Sequence, residues 1–129
     1  MVPRGSAAET AGALGRRPPS SPPPYQLKAE FFKTLGHPVR IRVLELLSTR
    51  EYAVAEMLPG VGVGPAALSQ QLAVLRKANL VATRREGSSV YYRLAGDDLA
   101  ELIRVARGIL TGVLQGQADL LAGLRATAQ

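Results

Sequence analysis

The fold is decided by residues 65–94, which read PAALSQQLAVLRKANLVATRREGSSVYYRL. In the first half of this stretch, leucines recur at intervals of four and three residues, which places them on one face of an α-helix. Pro65 suits the first position of a helix, and Asn79 tolerates the left-handed conformation that often ends one. The spacing therefore predicts an amphipathic helix over residues 65–77, with one face packed and the other free to read a partner.

The second half of the stretch predicts a β-hairpin. Residues 80–84 and 90–94 are rich in the β-branched and aromatic side chains that strands favour. Between them, residues 85–89 read REGSS, a polar sequence with a glycine that is typical of a turn. A helix followed directly by a hairpin with a basic turn is the outline of a recognition helix and a wing.

Positive charge is concentrated on this helix and hairpin. The 129 residues carry 16 Lys and Arg against 10 Asp and Glu, a formal charge of +6. Residues 65–94 hold five basic residues and one acidic residue, which gives +4, whereas residues 95–129 hold three and four, which gives −1. A local excess of this kind suits a polyanion, because neutralised phosphates release condensed counterions. Charge alone leaves open a solvated basic face.

The composition excludes several classes of function. The chain has no cysteine, which removes disulfides, thiolate metal sites and a cysteine nucleophile. It has one histidine and no arrangement of carboxylates that suits catalysis, so no enzyme is predicted. We find no secretory signal and no apolar run approaching the ~20 residues of a membrane span. We therefore expect a cytoplasmic protein with no cofactor and no membrane contact.

Three shorter helices are predicted before the recognition helix. The apolar spacing gives helices over residues 25–35, 38–48 and 53–58. The second is the most apolar and marks the centre of the domain. Pro59 and Gly60 are expected to end the third helix, because proline lacks the backbone N–H that a helix interior needs.

A long helix is predicted after the wing, from Asp97 to about Arg125. It carries more apolar surface than one small domain can bury, which implies a partner surface. Gly108, Gly112 and Gly116 recur on it at intervals of four residues. Close approach of another helix would explain them, and a helix that is kinked or frayed at these positions is the alternative.

Residues 1–24 are predicted to be a disordered arm rich in Pro, Gly and Ala, and residues 25–125 a single folded domain. Residues 2–6 read VPRGS, which matches a thrombin-cleavage tag, so part of the arm is interpreted as a tag remnant. Arg16 and Arg17 in the arm suit either contact with DNA or a solvated tail.

Three segments of the chain resemble the winged helix-turn-helix repressors of the ArsR/SmtB family. They are residues 32–47 (FKTLGHPVRIRVLELL), 68–76 (LSQQLAVLR) and 85–94 (REGSSVYYRL). The resemblance covers residues 25–125. It implies a mainly α-helical fold of four helices, a small β-hairpin and a final helix. It also implies a homodimer that binds double-stranded DNA as a transcriptional regulator, most simply as a repressor.

The resemblance also assigns roles to residues. In that family the Ser-x-x-Leu helix enters the major groove, so the base-reading candidates are Ser69, Gln70 and Gln71. The candidates for contact with phosphates or the adjacent minor groove are Arg76, Lys77, Thr83, Arg84, Arg85 and Ser88. Helices one and five would form the dimer interface, for which the candidates are Leu27, Phe31, Leu102, Ile109, Val113 and Leu120.

Arg40 and Arg42 have two possible roles. One of them can reach the DNA backbone, or each can form an intramolecular pair with an acid such as Glu45. The sole histidine, His37, lies in the turn between the first two helices and is interpreted as a structural residue.

Members of the family commonly sense metals, but the usual ligand positions differ in this chain. Alanines stand at the two cysteine positions of the third helix, Ala53 and Ala55. At the second usual site the matching residues are Gly96, Asp98, Ile109 and Gly112, of which only Asp98 has a ligand oxygen. No metal is therefore predicted at either site. The signal would be sensed through non-standard ligands or by a sensor protein that docks on the last helix.

A second hypothesis is a winged-helix protein-interaction module that acts mainly through the C-terminal helix. The glycine row and the gap in the apolar stripe between Leu114 and Leu120 motivate it. The two hypotheses differ in whether the protein binds DNA at low salt.

Overall fold

The computed structural model describes residues 21–128, and most of the predicted arm, residues 1–20, lies outside this range. The chain divides into two units at the boundary between Phe32 and Lys33. Helix α1 comprises Pro24–Leu35, which agrees with the predicted first helix. In the first unit the rings of Phe31 and Phe32 meet edge to face, with centroids 5.3 Å apart.

The second unit contains four further helices and a small antiparallel sheet. The helices are α2 (Pro38–Leu47), α3 (Val54–Val61), α4 (Pro65–Lys77) and α5 (Asp97–Ala128). The strands are β1 (Tyr52–Ala53), β2 (Val81–Glu86) and β3 (Ser89–Leu94), in the sheet order β1-β3-β2. The predicted hairpin is present, and the sequence missed β1, which pairs Tyr52 with Tyr92.

Side chains of α2, α3 and α4 form the centre of the core. The fully buried ones are Val43, Leu44, Met57, Leu68, Leu72 and Leu75. Burial of each such side chain stabilises the fold by about 1.5–3 kcal/mol. The three leucines of α4 are therefore fixed against the core, which directs the opposite face of this helix to solvent.

Helix α2 begins with a cap that uses the only histidine. The Nδ1 atom of His37 accepts a hydrogen bond from the backbone N–H of Val39 at 3.2 Å. Pro38 occupies the first position of the helix, where a missing N–H costs nothing. His37 therefore has the structural role that the sequence suggested.

Helix α3 is longer than predicted, and the expectation that Pro59 and Gly60 end it is wrong. The helix continues to Val61, and Gly62 ends it in the left-handed conformation with φ of 73°. Met57 and Val61 on this helix are buried, so packing on both sides of Pro59 outweighs the one backbone hydrogen bond that proline cannot donate. Arg42 Nε also donates to the carbonyl of Gly60 at 2.9 Å, which satisfies one of the free carbonyls at the helix end.

Asn79 ends α4 in the left-handed conformation, as predicted, with φ of 62°. The N–H of Asn79 donates to the carbonyl of Arg76 and the N–H of Leu80 to that of Leu75, both at 3.0 Å. These two hydrogen bonds form a Schellman motif, which turns the chain from α4 directly into the wing.

The wing has a tighter turn than the five residues predicted for it. Glu86 pairs with Ser89, so only Gly87 and Ser88 remain in the turn. Gly87 has φ of 63°, the geometry of the first central residue in a type II′ hairpin turn. The strands of the wing therefore extend to the basic residues near its tip.

Helix α5 is continuous from Asp97 to Ala128. It remains helical through Gly108, Gly112 and Gly116, so the helix is not interrupted at these positions. A Cβ atom added at any of the three would have no atom within 4 Å. No helix among residues 21–128 combines the length and apolarity that a membrane span requires.

Candidate nucleic-acid interface

Ser69 and Gln70 lie on the solvent face of α4, opposite its buried leucines. Both are exposed, and neither side chain hydrogen-bonds to another described residue. They are therefore free to meet the edges of bases, which present donors and acceptors in the major groove. Their exposure follows directly from the leucine spacing, because the core fixes which face of α4 points outward.

Gln71, the third base-reading candidate, has a partner within the protein. Its Oε1 atom accepts a hydrogen bond from Arg40 Nε at 2.8 Å. Arg40 in turn donates from a terminal nitrogen to the carbonyl of Thr34 at 3.1 Å. Both Gln71 and Arg40 are half-buried. Arg40 therefore has an intramolecular role, and Gln71 has less freedom than Gln70.

Arg76 and Lys77 occupy the last turn of α4, where cations interact favourably with the negative end of the helix dipole. Both are exposed and form no ion pair with a described residue. A shallow depression of about 480 Å³ contains both of them together with Ser69 and Tyr92. Ser69 and these two cations thus line one depression, and Gln70 lies next to Ser69 on the exposed face of α4.

This surface continues onto the wing. A second depression, of about 450 Å³, is lined by Arg76 and Tyr92 again and also by Thr83 and Arg85. Thr83 is half-buried, whereas Ser88 is exposed at the tip of the wing. We call the combined surface of α4 and the wing the basic face, defined by Ser69, Gln70, Arg76, Lys77, Thr83, Arg85 and Ser88.

Arg84 is held by the protein itself, although it was predicted to contact phosphates. Its Nε donates to Glu51 Oε1 at 2.6 Å and a terminal nitrogen donates to Glu86 Oε2 at 2.9 Å. Its guanidinium also lies over the ring of Tyr91, 4.6 Å from the centroid. The hydrogen bond to Glu51, followed by that to Glu86, raises the pKa of Arg84. Glu51 precedes β1 and is 33 residues distant from Arg84 along the chain, so no local sequence pattern predicts this contact.

Arg85, the next residue, is exposed and forms no ion pair with a described residue. Successive side chains of a strand point to opposite faces, so Arg84 and Arg85 cannot share partners. Glu51 also approaches Arg93 on β3, at 3.9 Å. Of the wing arginines, Arg85 is the one that offers an unpaired charge.

Comparison with known proteins identifies the family. Residues 37–83 match the model of the bacterial regulatory proteins of the arsR family. The HTH-type transcriptional regulator Rv0081 of Mycobacterium tuberculosis is 53% identical over 107 residues, which cover 82% of this chain and 94% of that protein. The crystal structure of Rv0081 covers 76% of this chain and 99% of its own, with a TM-score of 0.71.

This chain belongs to the ArsR family. It is a DNA-binding transcriptional regulator with a winged helix-turn-helix fold, in a family of regulators and not of enzymes. The crystal structure of the transcriptional repressor BigR from Xylella fastidiosa is 38% identical, with a TM-score of 0.62, and covers 66% of this chain and 87% of its own. Membership of the ArsR family supports DNA binding over the alternative of a protein-interaction module.

A further relative of this ArsR-family chain is homodimeric. The solution structure of the homodimeric winged helix-turn-helix DNA-binding domain Mb0332 from Mycobacterium bovis is 28% identical to this chain. It has a TM-score of 0.64 and covers 75% of this chain and 94% of its own.

The usual metal positions of ArsR-family proteins hold no ligand set here. Ala53 lies in β1 and Ala55 in the first turn of α3. Asp98 is exposed in the first turn of α5. No group of three or more His, Cys, Asp or Glu side chains that could hold a metal ion occurs among residues 21–128.

Helix α5 of this ArsR-family chain exposes a stripe of large apolar side chains. Ile109, Val113 and Leu120 are 64%, 52% and 65% exposed, and Leu102 is half-buried. At about 100° per residue these four positions fall within about 40° of arc. In the first unit, Leu27 is exposed and Phe31 is half-buried.

Proposed function

We propose that this ArsR-family regulator is a homodimeric repressor that reads a pseudo-palindromic DNA site with α4 and the wing. The observation that carries the proposal is the basic face, where free Ser69 and Gln70 lie beside three unpaired cations, Arg76, Lys77 and Arg85. Two-fold symmetry of a dimer requires an inverted repeat in the DNA, because each protomer reads one half-site.

Ser69 and Gln70 are proposed to read base edges. The amide of Gln70 is free to present both its donor and its acceptor, the pair that matches N7 and N6 of adenine. The hydroxyl of Ser69 donates or accepts and so suits several bases. Gln71 is proposed as a third reader, with the restriction that Arg40 imposes on its oxygen.

Arg76, Lys77 and Arg85 are proposed to contact phosphates, with Thr83 and Ser88 as hydroxyl donors. Such contacts fix the orientation of the protein on the duplex and make affinity dependent on salt. Arg84 has two of its nitrogens engaged by Glu51 and Glu86. Its remaining terminal nitrogen is proposed to reach a phosphate, while the bound nitrogens hold the wing in position.

The apolar stripe of α5 is proposed as the dimer interface, formed by Leu102, Ile109, Val113 and Leu120, with Leu27 and Phe31 of α1. Exposed apolar surface of this extent is costly in water and is typical of a contact surface. The homodimeric relative Mb0332 supports this assembly.

The repressor role is proposed from the relative BigR, whose name describes a transcriptional repressor. We further propose that the protein acts in the cytoplasm, where bacterial DNA lies. Its signal would come through ligands unlike the usual cysteine and histidine sets, or from a sensor protein partner. The absence of cysteine from the chain and the alanines at positions 53 and 55 support this part of the proposal.

Fluorescence anisotropy with a labelled duplex from the region upstream of the coding sequence tests the function. The three unpaired cations in each protomer correspond to six phosphates for a dimer; Arg84 is not counted because the carboxylates of Glu51 and Glu86 balance its charge. The logarithm of the association constant should therefore fall with the logarithm of salt concentration with a slope of about −5. An unlabelled duplex of scrambled sequence should compete poorly. Equal competition by the two duplexes, or no binding at about 50 mM salt, would overturn the proposal.

A further inference from the structure

Gln71 differs from Gln70 in that its amide orientation is fixed by another residue. The Nε–H group of Arg40 can only donate, so the atom of Gln71 that lies 2.8 Å from it is the carbonyl oxygen. Arg40 is itself restrained by the carbonyl of Thr34, at 3.1 Å. Because both side chains are half-buried, solvent competes weakly for this hydrogen bond.

The direction of this hydrogen bond decides which group Gln71 offers to a partner. Arg40 lies on α2, so the oxygen of Gln71 is engaged by another element of the same protein. The amide nitrogen, which carries two N–H donors, is left without a partner among the described residues. A glutamine without such a restraint, like Gln70, rotates its amide and presents either group.

Building on the DNA-binding role proposed above, we propose that Arg40 fixes Gln71 as a hydrogen-bond donor that selects a keto base, guanine or thymine. The operator position that faces Gln71 carries an oxygen acceptor in the major groove, O6 of guanine or O4 of thymine. Adenine and cytosine present an amino group at that place, so donor would meet donor; cytosine has no other acceptor in the groove, and the N7 acceptor of adenine is shared by guanine, so it does not distinguish the two purines. Arg40 is then a positioning residue for specificity, although it need not touch DNA.

The expected discrimination is about tenfold between keto and amino bases at that position. Much of it comes from the cost of leaving the amide N–H groups of Gln71 and the amino group of the wrong base unpaired in the interface. A freely rotating glutamine lacks this penalty, because it pairs with adenine through both of its amide groups.

Selection of binding sites from randomised duplexes tests this assignment. DNA sites are selected first with the full-length protein and with Gln71→Ala. The base position at which the two sets of selected sites differ is the one that faces Gln71. The full-length protein should prefer guanine or thymine there by about tenfold. Arg40→Ala should bind DNA and lose this preference, because the amide of Gln71 is released. Arg42→Ala is the matched control, since Arg42 also lies on α2 and binds Gly60 and Glu45 but does not contact Gln71.

Gln71→Glu provides a second variant that does not depend on the stability of Arg40→Ala. A carboxylate retains the contact with Arg40 but can only accept, so the preference should move to cytosine or adenine. The proposal is overturned if the position prefers an amino base in the full-length protein, or if Arg40→Ala and Gln71→Glu leave its preference unchanged. It is overturned equally if Gln71→Ala alters no position. Failure of the proposed DNA-binding function would give a different result from failure of the Gln71 proposal, because no DNA sequence would then be enriched at all.

Discussion

At the scale of single residues, Arg84 and Arg85 show how neighbours on one strand acquire different roles. Arg84 is held by Glu51 and Glu86, with Tyr91 beneath its guanidinium. Arg85 points to the other side of β2 and has no ion pair with a described residue. The free charge at the wing is therefore that of Arg85, whereas Arg84 acts first on the structure of the wing.

Arg85→Ala should weaken binding to all DNA sequences by a similar factor, because a phosphate contact carries no base information. In a dimer two contacts are lost, so the slope of log affinity against log salt should become less steep by about 2. Anisotropy titrations at several salt concentrations measure this slope. Arg125→Ala is the matched control, because Arg125 is an exposed arginine near the end of α5. Equal slopes for Arg85→Ala and the wild type would contradict a phosphate contact.

Gln70→Ala should lose discrimination between bases and keep non-specific affinity. We expect the ratio of affinities for selected and scrambled duplexes to fall at least about tenfold, since each half-site loses one base contact. Competition titrations with the two duplexes measure the ratio. Gln117→Ala removes the same side chain from an exposed position of α5 and should leave the ratio unchanged. A ratio in Gln70→Ala equal to that of the wild type would rule out this residue as a reader.

The leucine spacing predicts which side chains of α4 face solvent, because the buried leucines determine the outward face. Ser69 and Gln70 are exposed as this spacing predicts, whereas their role as base readers comes from the family resemblance and stays a prediction. The partners of Gln71 and Arg84 were not predictable, since Arg40 and Glu51 are 31 and 33 residues distant along the chain. No local pattern reports a contact of that range.

At the scale of secondary-structure elements, the bounds of α4 are confirmed because local signals set both ends. Pro65 begins the helix and Asn79 ends it. The predicted end of α3 at Pro59 is wrong, because burial of Met57 and Val61 outweighs the local effect of Pro59. Strand β1 has only two residues, too few for any periodicity, and exists through its pairing with β3.

The start of α3 gives a prediction on pH. Glu56 Oε1 accepts a hydrogen bond from the backbone N–H of Ala53 at 2.8 Å and lies 3.5 Å from Arg50. The hydrogen bond from Ala53, and then the charge of Arg50, hold the pKa of Glu56 below its ordinary range. A lowered pKa means that ionised Glu56 stabilises the folded state above the unfolded-state pKa. This contribution is lost as the pH falls through the folded-state pKa.

Glu56→Gln should therefore lower the free energy of unfolding at neutral pH, with a difference from the wild type that shrinks as the pH falls below about 4. Glutamine retains an oxygen for Ala53 but lacks the charge that depends on pH. Urea denaturation at a series of pH values measures the difference. A difference that stays constant between about pH 7 and pH 3 would contradict a role for the ionised carboxylate.

At the scale of the whole molecule, the apolar stripe of α5 and the basic face are proposed to serve different tasks. In the proposed dimer the stripe joins two copies, and the joined copies present two reading helices to one duplex. A dimer that binds both half-sites at once has a higher affinity for DNA than one protomer that binds a single half-site. Loss of the stripe should therefore reduce DNA binding without any change in the basic face.

Ile109→Glu should convert the dimer to a monomer, because it places a charge in the centre of the stripe. Sedimentation velocity measures the assembly, and anisotropy should show that specific DNA binding falls while weak, salt-sensitive binding remains. Ala118→Glu is the matched control, because it adds the same charge to α5 about 180° around the helix from Ile109. A stable dimer of Ile109→Glu with wild-type affinity would place the interface elsewhere.

Two copies of α4 and the wing are proposed to read DNA together, and selection of binding sites from randomised duplexes is the measurement that tests this claim. The enriched sequences should form an inverted repeat, with half-site centres about one helical turn, or ~34 Å, apart. Enrichment of a motif without two-fold symmetry, or of no motif, would contradict the claim.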